Sequence, residues 1–515
     1  ALRARSRPSS LAPHSLRMRI HLLGLSVMFA DAWTVPGAGA LRTAHPLRAA
    51  GGRMNAGADL LGRLFSGGSK DPWPVEQCTA PTWDELRVMH DAQATEEQLG
   101  FRARLESGRG DAASLATIRR FDAPDGEEPR VTLYRDTASW CPYCEKVWIM
   151  LEEKRVPYRI EKVNMNCYGS KPASFLKIQP SGGIPVASVD GTVIRESNDI
   201  LSAIEAAFPE RPLIPPPSEA SHVRVRPLLQ LERQLFGAWF NWLGQGGSGH
   251  GAQLLNFEAL LREVEAELEE GGGPYFLGPE LSLVDCMFAP FLERMAASLP
   301  YYKALKLRNN PAYPRLEQWF VAMEGRPSYR NIQSDFYTHV HDLPPQVGRC
   351  QMVAEARPLA DAIDGTDGSW SLPLPEDDPL QPLLGLNLAE PAARCEAAER
   401  LLHNGADVAR FAARGAGSPG FPGVGAPLSD PNASPDEASV PQLDAALRHV
   451  VHALLAGTDE AAARLSPGMQ PAVLTPTLGY LRDRISVPRD MCYPAARQLR
   501  AHLNWLIETT ARAEA

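Results

Sequence analysis

Two thiols, Cys141 and Cys144 in the stretch VTLYRDTASWCPYCEK from Val131 to Lys146, are the residues whose type and spacing most directly imply chemistry. The β-branched and aromatic run Val131-Thr132-Leu133-Tyr134 predicts a strand, and an amphipathic run from Glu145 to about Lys154 predicts a helix. Pro142 suits the first helical position, where a missing N–H costs nothing. Cys141 then stands at the helix N-terminus, where unpaired amides and the positive end of the dipole stabilise a thiolate. Such a thiol with a second one turn away is a redox centre or the thiol of a glutathione-dependent enzyme. Half of a zinc site is the competing reading. It would need two more ligands at similar spacing, and the sequence has no other Cys-x-x-Cys and no His-x3-His pair.

The elements that must position this pair follow in order. Pro157 to Val163 predicts a second strand and Pro172 to Lys177 a short helix. Pro185–Val189 and Thr192–Ile194 flank Asp190-Gly191, a strong hairpin turn, and Ser197 to Phe208 predicts a closing helix. The order βαβ, α, ββ, α is that of a thioredoxin fold.

This segment resembles the N-terminal domain of a glutathione transferase, of the cysteine-type classes related to glutaredoxin. Three motifs carry the likeness: Cys141-Pro142-Tyr143-Cys144 after the first strand, Gly183-Ile184-Pro185-Val186, and Arg195-Glu196-Ser197-Asn198-Asp199-Ile200. The resemblance implies a tripeptide site. The Ile184 backbone, ahead of a cis Pro185, would pair with the cysteinyl unit of glutathione. The Ser197 hydroxyl and amide, at a helix start, would take a carboxylate. Glu196 would hold the γ-glutamyl ammonium, and Lys171, with Lys177 as a rival, would reach the glycyl carboxylate. Tyr143 joins this glutathione-binding set. Cys141 would be the catalytic nucleophile, with Cys144 buried behind it as the second catalytic thiol. For Glu196-Ser197 the plain alternative is an ordinary helix cap.

After the Pro-rich linker at 210–217 the pattern turns helical. Val223–Trp242 and Ala252–Glu270 are amphipathic runs, and Ser282 and Asp285 form a capping box before an apolar helix. A box at that point matches the transferase C-terminal domain, where its work is folding. The family's second substrate lies between the two domains. Phe236, Trp239 and Phe240 are candidates for that pocket, although an aromatic stripe at helical spacing is more often core. Beyond residue 343, Ala354–Pro382 reads as extended with Asp-Gly turns, Leu388–Arg414 as a helix pair, 415–441 as a flexible Gly/Pro-rich loop, and Val440–Ala515 as helical. Ser486-Val487-Pro488-Arg489-Asp490-Met491 resembles the C-terminal extension of the iota class of photosynthetic organisms, which also carries Cys-Pro-x-Cys. The expected organisation is therefore a presequence (1–71), a pre-domain helical segment (72–128), an α/β thioredoxin-like domain (129–209), the linker (210–217), an all-α domain (218–343) and a mainly helical extension (344–515).

Composition bounds the function. At 515 residues, 44% hydrophobic and 22% charged, the chain is ordinarily globular, and its net charge of −9 gives no support to nucleic-acid binding. Eight cysteines are too sparse for a disulfide scaffold, and no apolar run reaches the roughly 18 residues of a membrane span. Met18, Arg19 and the apolar run Ile20–Ala30 match a secretory signal. A stretch to Ala58 without acidic residues but with Arg42, Arg48 and Arg53 has transit-peptide composition. Together they resemble the bipartite presequence of complex plastids, with the secretory pathway as the alternative. The resemblance implies a glutathione-dependent thiol transferase that performs deglutathionylation or dehydroascorbate-type reduction. Its partners would be glutathione, a small thiol or disulfide, and glutathionylated proteins, and it allows a homodimer. The other readings are a glutathione- or ligand-binding protein, one holding an Fe–S cluster between two Cys141 thiolates and two glutathione thiols, and a structural plastid partner.

Overall fold

The computed structural model describes residues 73–514 except 125, 247–248, 349, 377, 379, 383–389, 422 and 424–426, so the expected presequence lies outside the described residues. One sheet holds β1 (Ile118–Arg119), β2 (Val131–Asp136), β3 (Tyr158–Val163), β4 (Val186–Val189) and β5 (Thr192–Ile194), in the order β1-β3-β2-β4-β5. β2 and β3 are parallel, with Val131 opposite Tyr158, while β4 and β5 run antiparallel to their neighbours. A parallel pair needs a crossover. It follows a preceding segment of three helices, α1 (Trp83–Asp91), α2 (Glu96–Leu99) and α3 (Phe101–Ser107), and is supplied by α4 (Pro142–Glu153). The alternation of β2 sends Leu133 into a core with Val147 of α4 and Ile200 of α6 (Ser197–Ala207). Tyr134 points to the other face, where Phe175 of α5 (Ala173–Ile178) packs with Val163 and Val186. Asp190 and Gly191 make the β4–β5 turn at φ of 50° and 80°, the left-handed region that Asp-Gly tolerates. This is a thioredoxin-like layer.

The helical domain comprises α7 (His222–Leu243), α8 (His250–Gly271), α9 (Leu283–Lys303), α10 (Pro314–Glu324), α11 (Pro327–Arg330) and α12 (Phe336–Val347). Every residue of α9 is buried, because α4, α7 and α12 all pack on it. A helix end in such a place must satisfy its amides internally. The Ser282–Asp285 capping box does this: Asp285 Oδ2 accepts from the Ser282 amide at 2.8 Å and its hydroxyl at 2.7 Å. Asp285 Oδ1 accepts from Trp319 Nε1 at 2.9 Å and the Phe276 amide at 3.2 Å. The box therefore ties three elements together.

The rest of the chain departs from the sequence expectation in three places. The segment before the sheet is not only helical, since β1 pairs antiparallel with β3, Ile118 opposite Arg159. That segment also packs less on the domain that follows it than on the extension: Trp73 and Leu86 sit in one core with Leu401, Val450, Leu478 and Leu499. Trp83 Nε1 donates to Asp444 at 2.8 Å. The stretch expected to be extended contains α13 (Arg357–Ile363), whose Ala360 and Ile363, three apart, are buried on one face; so short a stripe is hard to read amid Gly and Asp. After it come α14 (Glu390–Ala412, kinked at Asn404), α15 (Val440–Ala456), α16 (Thr458–Ala463), α17 (Pro471–Arg482) and α18 (Tyr493–Glu514). The described part of the Gly/Pro-rich loop is fastened, with a Ser418–Ser434 bridge and a Leu428 side chain 1% exposed. Among the described residues no helix is long and apolar enough to cross a membrane.

The extension docks on α12 through Arg500, which donates to Asp335 at 2.7 Å, and through the Val487 amide, which donates to Thr338 Oγ1 at 3.1 Å. Gly405 is where the Trp83 ring lies against α14, and a Cβ there would meet that ring at 2.5 Å. Gly405→Ala is expected to cost about 1–3 kcal/mol by overpacking. Denaturant unfolding measures this, and an unchanged midpoint would show that the ring is not seated there.

Candidate active site

The loop between β2 and α4 is built on buried charge. Arg135 is fully buried, and its guanidinium donates to the Asp136 carbonyl, the Ser139 hydroxyl and the Ser114 carbonyl, each at 2.8 Å, beneath the Trp148 ring. These bonds hold Ser139 at a φ of 58°, which non-glycine residues rarely adopt. The chain then turns so that Cys141 becomes the N-cap of α4, with Pro142 in the first turn. No side chain caps this helix, and since Pro142 has no N–H and the Cys144 and Glu145 amides bond the Cys141 carbonyl, the Tyr143 amide is the one left in its first turn beside Cys141.

The two thiols differ in setting. Cys141 is 8% exposed and Cys144 is 1% exposed. Burial pushes the Cys144 thiol well above its ordinary value, helped by a hydrogen bond to Cys141 and by the charge of Asp136. Cys144 therefore keeps its proton and can offer it to the Cys141 sulfur.

The residues expected to hold a tripeptide lie along the neighbouring edge. The Ile184–Pro185 bond is cis and leads into β4, with Pro185 buried and Ile184 half-buried. Glu196 is exposed and is the N-cap of α6, again without a side-chain cap, and Ser197 follows at 9% exposure. Two uncapped helix N-termini thus border the same cleft. Lys171 is half-buried, donates to the Asn164 carbonyl, and covers Gly182; burial lowers its pKa, opposed by the cysteines. Lys177 is exposed in the last turn of α5.

Across the cleft stand aromatic rings of α7 and α9. Tyr143 meets Phe291 edge-on at 5.8 Å, and Phe291 meets Phe236 at 4.9 Å, which in turn lies 5.8 Å from Phe240. Phe240 is 41% exposed. Trp239 is different: it is 1% exposed and donates to Ser298 at 3.0 Å, so it belongs to the packing between α7 and α9. Of the three aromatic candidates, Phe236 is joined to Tyr143 through Phe291, and Phe240 lies beyond Phe236, partly exposed to solvent.

Several charged groups here were not singled out by sequence reasoning. Arg233 lies over Phe236 and Phe291, pairs with Glu232 and bonds the Tyr143 hydroxyl. Lys146 is 1% exposed, 5.5 Å from the Tyr143 ring centre, and donates to Asn198 Oδ1 at 2.6 Å. Burial pushes Lys146 down to about 7, with Arg233 adding to the effect and Glu232, Cys141 and Glu196 opposing it. A signal existed: Glu145-Lys146 stand directly before the apolar run Val-Trp-Ile-Met-Leu, and buried charges require partners.

Comparison with known proteins places these features in a family. The model described as "Glutathione S-transferase, N-terminal domain" matches residues 140–207, and "Glutathione S-transferase, C-terminal domain" matches 230–322. The chain is 30% identical over 197 residues to "Glutathione S-transferase DHAR3, chloroplastic" of Arabidopsis thaliana, covering 38% of this chain and 69% of that protein. It is 32% identical over 202 residues to "Glutathione S-transferase DHAR2" of the same plant, covering 39% and 86%. Among solved structures it is similar to a dehydroascorbate reductase from Chlamydomonas reinhardtii, at 23% identity and a TM-score of 0.34 over 39% of this chain and 91% of that one.

The lowered Lys146 value fixes a sign. Between about pH 7 and the ordinary lysine range the unfolded chain binds more protons at this site, so the site's contribution to stability rises with pH. Below pH 7 the folded protein bears the full cost of a buried cation. Lys146→Met should therefore gain stability relative to the parent at about pH 6.5 and lose most of that gain by about pH 9. Urea unfolding at the two pH values measures the difference, and a gain independent of pH would refute the assignment.

Proposed function

We propose that this chain, which belongs to the glutathione S-transferase superfamily, is a thiol transferase in which Cys141 is the nucleophile and glutathione the reductant. The observation that carries the reading is the contrast between two neighbouring thiols. One is at an uncapped helix N-terminus, and the other is buried, protonated and hydrogen-bonded to it. Hydroxyl-type transferases activate the thiol of glutathione with a Ser or Tyr. A cysteine in that position favours attack on a disulfide.

In the proposed cycle the Cys141 thiolate attacks the glutathionyl sulfur of a mixed disulfide. The S–S bond breaks, the substrate leaves as a thiolate and takes a proton from solvent, and Cys141 carries glutathione. A second glutathione thiolate attacks the glutathionyl sulfur of that adduct. Oxidised glutathione leaves, and the Cys141 thiolate returns. Attack requires a thiolate in line with the disulfide. Cys144 is poorly placed to compete, because burial keeps it protonated.

Glutathione would lie along the edge formed by Ile184, Pro185, Glu196 and Ser197. Its cysteinyl unit would pair with the Ile184 backbone, and a carboxylate would take the open amides at Ser197. Glu196 would meet the α-ammonium. Lys171 would have to release the Asn164 carbonyl to reach the glycyl carboxylate. Tyr143 would border the bound sulfur, and Phe236 and Phe240 would flank the second substrate. The names of the relatives, glutathione S-transferases of the DHAR type, support a glutathione-dependent reaction. A plastid location is supported by the composition of the first 71 residues and by a relative named chloroplastic.

Cys141→Ser should lose thiol-transferase turnover by at least about a hundredfold, since the covalent step disappears. Cys144→Ser should retain monothiol turnover within roughly threefold and accumulate a glutathione adduct on Cys141 after exposure to oxidised glutathione. Steady-state assays and peptide mass spectrometry read both. A Cys141→Ser protein with full turnover would end the proposal.

A further inference from the structure

Trp140, the residue ahead of Cys141, is held at both its amide and its carbonyl. The Trp140 amide donates to Asp136 Oδ2 at 2.5 Å, and the Trp140 carbonyl accepts from Arg294, a residue of α9 in the other domain. The same guanidinium donates to Glu145 Oε2 at 2.8 Å and to the Pro290 carbonyl at 2.5 Å, and lies over the Trp140 ring at 4.7 Å. One side chain, 2% exposed, thus grips the residue before Cys141 and a residue in the first turn after it.

Arg294 is backed by further buried groups. Glu293 accepts from the Ser334 amide at 2.9 Å and pairs with His339 Nε2 at 2.5 Å, and the His339 ring lies 6.3 Å from that of Trp140. The ionisable groups facing Glu145 are Glu293 and Arg294 from α9 and His339 from α12, with Tyr329 of α11 against Glu293 and Asp335 against His339. Burial pushes Glu145 up to about 8, with Glu293 adding to it, while His339 is driven down by burial and by Arg294. A neutral Glu145 matters at this position. An ionised carboxylate in the first turn of α4 would use the favourable end of the dipole that Cys141 needs.

We propose that Arg294 is a positioning residue for Cys141: reaching across from α9, it fixes the Trp140 carbonyl and Glu145, and so holds the Cys141 sulfur at the N-terminus of α4, with the negative charge of Glu293, itself bonded to His339, beside it. The geometry gives the extension a part in this. His339 belongs to α12, whose start is held by the buried Arg500–Asp335 pair, both side chains at 1% exposure or less, and by Val487.

The inference rests on Cys141 as nucleophile, and its test separates the two ideas. The rate of Cys141 alkylation by iodoacetamide is followed against pH in the full chain, with the site located by mass spectrometry. In Arg294→Met the rate at pH 7 should fall roughly tenfold and converge with the parent at high pH, because only the thiolate reacts. A variant that merely loosened the fold would expose Cys141 and react faster throughout. An unchanged profile in a folded Arg294→Met protein overturns the proposal. Should that variant fail to fold, Glu293→Gln, which keeps an acceptor for the Ser334 amide but removes the negative charge beside Arg294, is read in the same way. A several-fold slower reaction at pH 7 supports the positioning role, and an unchanged profile overturns it. If Cys141 is not the nucleophile, the turnover of Cys141→Ser reports it independently of these profiles.

Discussion

Negative charge on a sulfur that is 8% exposed must be met by donors already in place, because water can supply little of the solvation. Beside Cys141 the nearest candidates are the Cys144 thiol and the Tyr143 amide, because Pro142 has no N–H and the Cys144 and Glu145 amides bond the Cys141 carbonyl. The rest of the domain keeps that helix end open and still. Arg135 stiffens the loop from below, Asp136 and Arg294 hold the Trp140–Cys141 peptide, and Cys144 contributes a hydrogen bond while remaining protonated.

Holding that turn from another domain requires buried polar chemistry. α9 is buried along its whole length, yet it carries Asp285, Glu293 and Arg294. Each is matched: Asp285 by Ser282, Phe276 and Trp319, Arg294 by Glu145 and two carbonyls, and Glu293 by His339 and an amide. Such networks contribute less to net stability than equivalent apolar packing would, but removing one partner is costly. Their effect is specificity of arrangement. The two domains meet in one relative placement, and the aromatic rings of Phe236 and Phe291 come to stand opposite Tyr143.

The segment before the sheet and the extension after the helical domain form a second core although they are far apart in sequence. Trp73 and Trp83 enter the extension, while β1 from the same segment pairs on the sheet edge beside β3. The added strand covers an edge that would otherwise present unpaired amides. The extension is thus joined to the catalytic layer twice, through this strap and through α12.

The local chemistry was legible in the sequence because it rests on short-range rules. A strand, a proline at a helix start and two thiols one turn apart define a thiol at a helix N-terminus. Asp190-Gly191 defines its hairpin, and Ser282 with Asp285 defines a capped helix. The three motifs at their spacing also implied the family. What tertiary structure alone decided is where charges end up. Glu145, Lys146, Arg233 and Arg294 show in sequence at most that a charge stands near apolar residues, and only packing between distant segments removes them from water and gives them partners. Trp239 and Phe240, adjacent in the chain, part for the same reason: one faces α9 and the other the solvent. The place of β1 beside β3 and the seat of Trp83 on Gly405 likewise depend on contacts between residues distant in the chain, for which no local periodicity exists to be read.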